Sequence, residues 1–299
     1  MPVLGRVVTA MVTPFTASGD LDLEGARTMA SHLVDHGTDT VLVVGTTGES
    51  PTLHGDEPWD LLAAVREAVG DRAQVMMGTG SNDTRKSVAT TARATDEGAD
   101  AILLVTPYYN RPSQRALIEH FRAVAGATDL PVVLYDVPSR TSCEIGRDTA
   151  IALAEVANIV GLKDAAGNLA KTAEIVAGTA GAPGGFEIYC GADELNLPML
   201  AVGAVGFVSV AAHLAGDELA AMAEVFESDP AKARELHLSL LPLCRALFIE
   251  PSPAPLKGAL NRLGLPAGPV RPPLVDAEPA TVDTVLAAMA HAGIPTAPR

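Results

Sequence analysis

Short runs of apolar and β-branched residues recur along the chain, at Val7 to Thr13, Thr40 to Gly45, Gln74 to Thr79, Ala101 to Pro107, Pro131 to Pro138, Ile159 to Asp164, Phe186 to Gly191 and Val205 to Val210. Each is apolar nearly throughout rather than alternating, as expected of parallel strands covered on both faces. The stretches between them carry a helical period. Ala26, Met29, Ala30, Leu33 and Val34 share one face of a helix that Gly37 stops. Asp56 is placed to cap the next helix, with Pro58 in its first turn and Gly70 at its end. Eight strands alternating with helices predict an α/β fold, a (β/α)8 TIM barrel, over residues 1–216. A doubly wound sheet is the alternative, but no GxGxxG follows the first run. Beyond the eighth run only helical periodicity continues, at 217–226, 230–249, 255–263 and 281–292, with a Pro-rich connector from Pro266 to Pro279. Residues 217–299 are therefore expected to form a C-terminal helical extension.

Composition narrows the class. The chain has 299 residues, 48% hydrophobic and 19% charged, enough to bury a sizeable core without staples. Its 3 cysteines, Cys143, Cys190 and Cys244, include no CxxC pair, which points to a reducing, cytoplasmic setting. A formal charge of −15 argues against nucleic acid or an anionic membrane as partner. The first residues lack the charged start and apolar stretch of a signal peptide. No apolar run reaches the ~18 residues a membrane helix needs.

In a barrel of this kind, working residues are expected at the C-terminal ends of the strands. Polar and glycine residues gather there: Gly45-Thr46-Thr47-Gly48-Glu49-Ser50, Thr106-Pro107-Tyr108-Tyr109-Asn110, Tyr135-Asp136-Val137-Pro138-Ser139-Arg140-Thr141, Lys163-Asp164, Tyr189-Cys190-Gly191 and Gly206-Phe207-Val208-Ser209. Lys163 stands out. It follows Ile159-Val160-Gly161-Leu162 in a buried strand pattern, whereas the other four lysines lie in helical or polar stretches where a solvated charge is expected. Burial penalises an ammonium, and a neutral amine in such a place attacks ketones and aldehydes. The structural alternative is an ion pair with Asp164 or Glu49. The Gly45–Gly48 turn offers consecutive backbone N–H groups suited to a small carboxylate, or is simply a tight turn. Tyr109 and Tyr135 suit proton relay, or ordinary packing. Arg140 suits a bidentate grip on a carboxylate, or a surface ion pair. His32 and His36 have a metal-compatible spacing on one helix but no third ligand in view, and Cys190 reads as a small core residue. Neither a metal nor an organic cofactor is expected.

These residues together resemble the dihydrodipicolinate synthase family of pyruvate-dependent class I aldolases. The resemblance runs along essentially the whole chain, through GTTGES at Gly45 to Ser50, TPYYN at Thr106 to Asn110, YDVPSRT at Tyr135 to Thr141, GLKDA at Gly161 to Ala165 and the stretch Pro251 to Lys257. It implies a (β/α)8 barrel with a helical C-terminal extension, in which Lys163 forms a Schiff base with pyruvate. The resulting enamine would attack L-aspartate 4-semialdehyde, and transimination would release 4-hydroxy-tetrahydrodipicolinate, a step of diaminopimelate and lysine biosynthesis. The resemblance makes Thr46, Tyr109 and Tyr135 the proton relay, with Tyr109 donated by a neighbouring subunit. It implies a homo-oligomer, a dimer of dimers. Thr46 and Thr47 would hold the pyruvate carboxylate and Arg140 that of the semialdehyde, with Gly191 and Val208 lining the pocket.

Several positions depart from the commoner family pattern. Asp136 stands where Asn is frequent, Ser142 where Gly is frequent, and Ala192 where an acid is frequent. Gly55, Pro58 and Lys86 occupy places where lysine-inhibited members carry histidines and an acid, so lysine feedback is expected to be weak or absent. The rival readings are another Schiff-base enzyme of the superfamily, such as an N-acetylneuraminate lyase or a keto-sugar-acid aldolase or dehydratase, and a non-catalytic oxo-acid-binding barrel. Thr47 and Arg140 favour the synthase.

Overall fold

The computed structural model of the chain describes residues 2–297. Eight strands are hydrogen-bonded in chain order into a closed barrel. They are β1 (Val7–Ala10), β2 (Thr40–Val43), β3 (Gln74–Gly78), β4 (Ala101–Val105), β5 (Val132–Asp136), β6 (Ile159–Asp164), β7 (Glu187–Cys190) and β8 (Gly206–Ser209). Pairing is parallel between β1 and β2 and along the series from β3 to β8. The helices are α1 (Leu23–Asp35), α2 (Glu57–Val69), α3 (Thr84–Asp96), α4 (Gln114–Ala125), α5 (Pro138–Thr141), α6 (Arg147–Ala154), α7 (Leu169–Thr179), α8 (Asn196–Ala201), α9 (Ala212–Val225), α10 (Pro230–Ala246), α11 (Ala254–Arg262) and α12 (Pro279–His291).

Every strand lies inside one of the apolar runs, and most stop short of the run's C-terminal end. The remaining residues leave the ladder as loops: Val44, just past β2, already has φ of 57°. The α1 helix ends as expected, with Gly37 at φ 82°. Capping of α2 differs. Asp56 occupies the N-cap but has helical φ/ψ, and its side chain makes no cap bond. The Glu57 carboxylate instead accepts the His54 N–H at 2.8 Å.

The chain forms two compact units. One comprises Met76–Val208 with the N-terminal residues up to Gly5. Within it α6 lies on β6 and α7 on β7, and Leu104, Leu134, Leu162, Phe121, Leu153 and Ile175 are fully buried. Gly161 is required where β6 meets β7, because a Cβ there would collide with the Glu187 carbonyl. The other unit comprises Arg6–Val75 and the chain from Ser209 onward. In it α1 packs on α2, α9 on β1 and α10, and α12 on α10 and α11. The Pro-rich connector is anchored rather than loose. The Phe15 N–H donates to the Ala267 carbonyl at 3.2 Å, and Gly268, at φ 67°, lets the two backbones touch.

His213 ties this second unit together from inside. Its Nε2 accepts the Val12 N–H at 3.1 Å, while Nδ1–H donates to the Val210 carbonyl at 2.9 Å. That pair of bonds selects the neutral tautomer, and burial lowers its pKa from 6.5 to about 4. A depressed folded-state pKa contributes stability that is full above pH 6.5 and lost as pH falls toward 4. From this residue alone the loss is about 3 kcal/mol. Denaturant unfolding of wild type and His213→Gln is expected to show the widest stability gap above pH 6.5, narrowing toward pH 4. A pH-independent gap would contradict this.

Candidate active site

Alternation along β5 and β6 divides the chemistry between two faces. Tyr135 is paired in register with Lys163, and Asp136 with Asp164. Lys163, 5% exposed, sets its Nζ 4.0 Å from the centre of the Tyr135 ring. Gly191, just past β7, donates its N–H to the Asp164 carbonyl at 2.8 Å. A Cβ there would stand 3.0 Å from Lys163 Cγ and 3.1 Å from Cε, so the glycine leaves the lysine's course open. Val208, on β8, is buried.

The expectation that Lys163 alone among the lysines is buried is overturned. Lys171 and Lys257 are buried as well, while Lys86 and Lys232 are exposed. Pairing, not burial, separates the three. Lys171 Nζ lies 2.7 Å from Asp136 Oδ2, and Lys257 Nζ lies 2.7 Å from Glu49 Oε1. Asp164 is engaged by the Thr172 hydroxyl at 2.7 Å and by the Ala166 N–H at 2.9 Å. Both carboxylates that could have neutralised Lys163 thus have other partners. Among the described residues Lys163 has no ion pair.

Arg140 sits exposed on the single-turn helix α5 and likewise makes no ion pair among the described residues, contrary to the surface-pair alternative. Thr141 braces its loop, donating to the Cys143 carbonyl at 2.7 Å. Ser142 holds φ of 54°, a left-handed conformation that a glycine adopts without strain. Tyr109 does not join the buried group. It is 90% exposed with φ of 73°, an uncommon backbone for an aromatic residue. Its loop is tied down by Asn110, which donates to the Asn82 carbonyl at 2.8 Å.

The Gly45–Ser50 turn belongs to the second unit. It is closed by the Glu49 N–H on the Thr46 carbonyl at 3.1 Å and held by the Thr13 hydroxyl on the Gly48 carbonyl at 2.6 Å. The N–H groups of Thr46 and Thr47 have no hydrogen-bond partner among the described residues, so two adjacent donors remain for an anion. Glu49, at φ 54° and buried, anchors the turn from behind. Its carboxylate accepts from Lys257 Nζ and from the Arg271 N–H at 2.8 Å. Lys257 also donates to the Pro269 carbonyl at 2.8 Å. The Lys257 ammonium and the Arg271 guanidinium both lie over the Phe15 ring, at 4.2 and 4.1 Å. Burial lowers the Lys257 pKa, with Glu49 opposing the shift. Sequence reasoning missed this anchor. The apolar neighbours Leu256, Ala259 and Leu260 around Lys257 were its available signal.

His32 and His36 serve packing. His36 Nδ1 meets Asp217 Oδ2 at 2.7 Å, and His32 Nε2 lies 3.2 Å from the His213 carbonyl. Among the described residues no group of three or more His, Cys, Asp and Glu could hold a metal ion. Cys190 is buried, its thiol donating to the Ala192 carbonyl, and burial pushes its pKa up.

Removing one partner of a buried pair strands the other charge. Lys257→Met is expected to cost about 3–5 kcal/mol in urea unfolding. The double variant Glu49→Gln with Lys257→Met should recover much of that loss, because no charge is then left buried alone. Equal stability of Lys257→Met and wild type would contradict the pairing.

Comparison with known proteins gives one consistent result. The model of the dihydrodipicolinate synthetase family matches residues 3–292. A 4-hydroxy-tetrahydrodipicolinate synthase of Moorella thermoacetica is 50% identical over 291 residues, covering 97% of this chain and 99% of that protein. A second relative of the same name, from Acaryochloris marina, is 50% identical over 93% of this chain and 94% of its own. Among solved structures, a dihydrodipicolinate synthase from Bacillus anthracis superposes with a TM-score of 0.93 at 43% identity, covering 99% of this chain and 100% of that one.

Proposed function

Because the chain belongs to the dihydrodipicolinate synthetase family, we propose that it condenses pyruvate with L-aspartate 4-semialdehyde to 4-hydroxy-tetrahydrodipicolinate. The observation that carries this reading is a buried lysine, Lys163, that has no ion pair among the described residues and lies over the Tyr135 ring. A lysine so placed is suited to attack on a carbonyl.

The Lys163 amine adds to the ketone carbon of pyruvate and expels water, leaving a protonated imine. This imine is the electron sink for the reaction, so neither metal nor organic cofactor is required. The pyruvate methyl group loses a proton to give an enamine, whose carbon attacks the aldehyde of the semialdehyde while the aldehyde oxygen takes up a proton. The amino group of the second substrate then attacks the imine carbon. Lys163 leaves as the free amine and the ring closes. Thr46, Tyr109 and Tyr135 relay the protons. The Thr46 and Thr47 N–H groups hold the pyruvate carboxylate, Arg140 holds that of the semialdehyde, and Gly191 and Val208 line the pocket.

Both substrates are anions and the chain carries a net charge of −15, so local donors must overcome an unfavourable overall field. The exposed Arg140 and the two threonine amides supply that local attraction. Tyr109 is supplied to the site of a second copy, a role supported by its exposure and left-handed backbone. The minimal active unit is then a dimer, assembled as a dimer of dimers in the cytoplasm. The step belongs to diaminopimelate and lysine biosynthesis.

Borohydride reduction in the presence of pyruvate is expected to add one pyruvate-derived mass to the peptide carrying Lys163, and Lys163→Ala to abolish the addition. Absence of label on Lys163 would refute the mechanism. A turnover assay comparing aspartate semialdehyde with N-acetylneuraminate and keto-sugar acids should favour the first; preference for a sugar acid would reassign the substrate. One relative, from Cyanidioschyzon merolae, was solved with lysine bound. With Gly55, Pro58 and Lys86 in this chain, turnover is expected to persist at millimolar lysine, and sub-millimolar inhibition would contradict that.

A further inference from the structure

Behind Tyr135 and Lys163, on the opposite face of β5 and β6, lies a buried ionic cluster that the mechanism does not use. Its centre is Lys171, in the first turn of α7, whose amino group contacts Asp136 Oδ2 at 2.7 Å, Glu144 Oε1 at 2.8 Å and the Ile145 carbonyl at 3.4 Å. Asp136 is fully buried, and its other oxygen accepts the Ile145 N–H at 3.0 Å. Residue 145 is thus held at both of its backbone polar groups, the N–H by Asp136 and the carbonyl by Lys171. Between Asp136 and Ile145 the chain makes its excursion through α5, which carries Arg140. The two ends of that excursion are pinned to one ammonium.

We propose that Lys171 and Asp136 are positioning residues for Arg140, a buried clasp that fixes the loop gripping the second substrate's carboxylate. The next residue on α7 does a separate job. Thr172 donates to Asp164 Oδ2 at 2.7 Å, and Asp164 directly follows Lys163 on β6. Adjacent residues of one helical turn therefore secure the lysine's strand and the arginine's loop independently. Asn168 accepts the Lys171 N–H at 3.1 Å and fixes where that turn begins. Burial drives the Asp136 pKa up to about 6 despite Lys171, and Asp164 beside it pushes the same way. The same contacts with Asp136 and Glu144 hold the Lys171 pKa above its ordinary value, against the opposing effect of burial. Without the ammonium, burial and Asp164 would raise the Asp136 pKa further, and the carboxyl would take up a proton and lose its salt bridge.

The inference rests on the assignment of Arg140 to the second substrate, and the test separates the two claims. In Lys171→Met the KM for aspartate semialdehyde is expected to rise roughly 10- to 100-fold, since small displacements of a gripping group have effects of that size. The KM for pyruvate and borohydride trapping on Lys163 should stay at wild-type levels. The double variant Asp136→Asn with Lys171→Met replaces the unpaired buried carboxyl by an amide, whose oxygen can still accept the Ile145 N–H. It is expected to regain stability in urea unfolding yet keep the raised semialdehyde KM, and it serves as the test if the single variant does not fold. A wild-type semialdehyde KM in the double variant would overturn the clasp. Loss of trapping in wild type would instead sink the mechanism on which it depends, and an unchanged semialdehyde KM in Arg140→Ala would sink the role of the arginine.

Discussion

The chemistry proposed for this protein depends on a buried amine, Lys163, while the acids Asp164, Asp136 and Glu49 are each engaged by other groups. Lys163 is as buried as the core around it, but Asp164 is bound by Thr172 and Ala166, Asp136 by Lys171 and Ile145, and Glu49 by Lys257 and Arg271. Three acids close to site residues in sequence are each saturated by a designated partner. Two of these, Asp136 with Lys171 and Glu49 with Lys257, are buried charge pairs, costly to assemble and more costly to break, so they hold their geometry. The amine they leave unpaired is available to form a covalent bond.

The same pairs also support parts of the fold that would otherwise be loose. Glu49 fastens the Thr46–Thr47 turn to Lys257 and the Pro-rich connector, which lies far away in sequence. Asp136 fastens the Arg140 loop to α7. Loops that carry binding residues tend to be mobile, and backbone donors serve an anion well only when they are already in place. Here the two loops proposed to bind carboxylates, the Thr46–Thr47 turn and the Arg140 loop, are each tied down by a buried carboxylate within four residues, Glu49 and Asp136.

Much of this was legible in the chain itself. Eight apolar runs with helices between them are the signature of strands covered on both faces, and the barrel followed from their number and order. The polar residues at the run ends marked Lys163, Tyr135, Arg140 and the Gly45–Ser50 turn because such groups are out of place beside buried strands. Lys171 and Lys257 were misread for the converse reason. Each lies on a helix, where a lysine is ordinarily solvated, and nothing local discloses that the acid facing Lys257 lies more than two hundred positions away.

Sequence by itself determined the order of strands and helices and singled out the candidate reactive groups, since the first follows from local pattern and the second from side-chain chemistry. Only the tertiary structure decided which of three buried lysines has no counter-charge among the described residues, which backbone donors find no partner there, and that Tyr109 faces outward. Those properties depend on what each group meets in space. Hydrogen bonds and ion pairs are satisfied or left open by neighbours distant along the chain, and no local pattern specifies them.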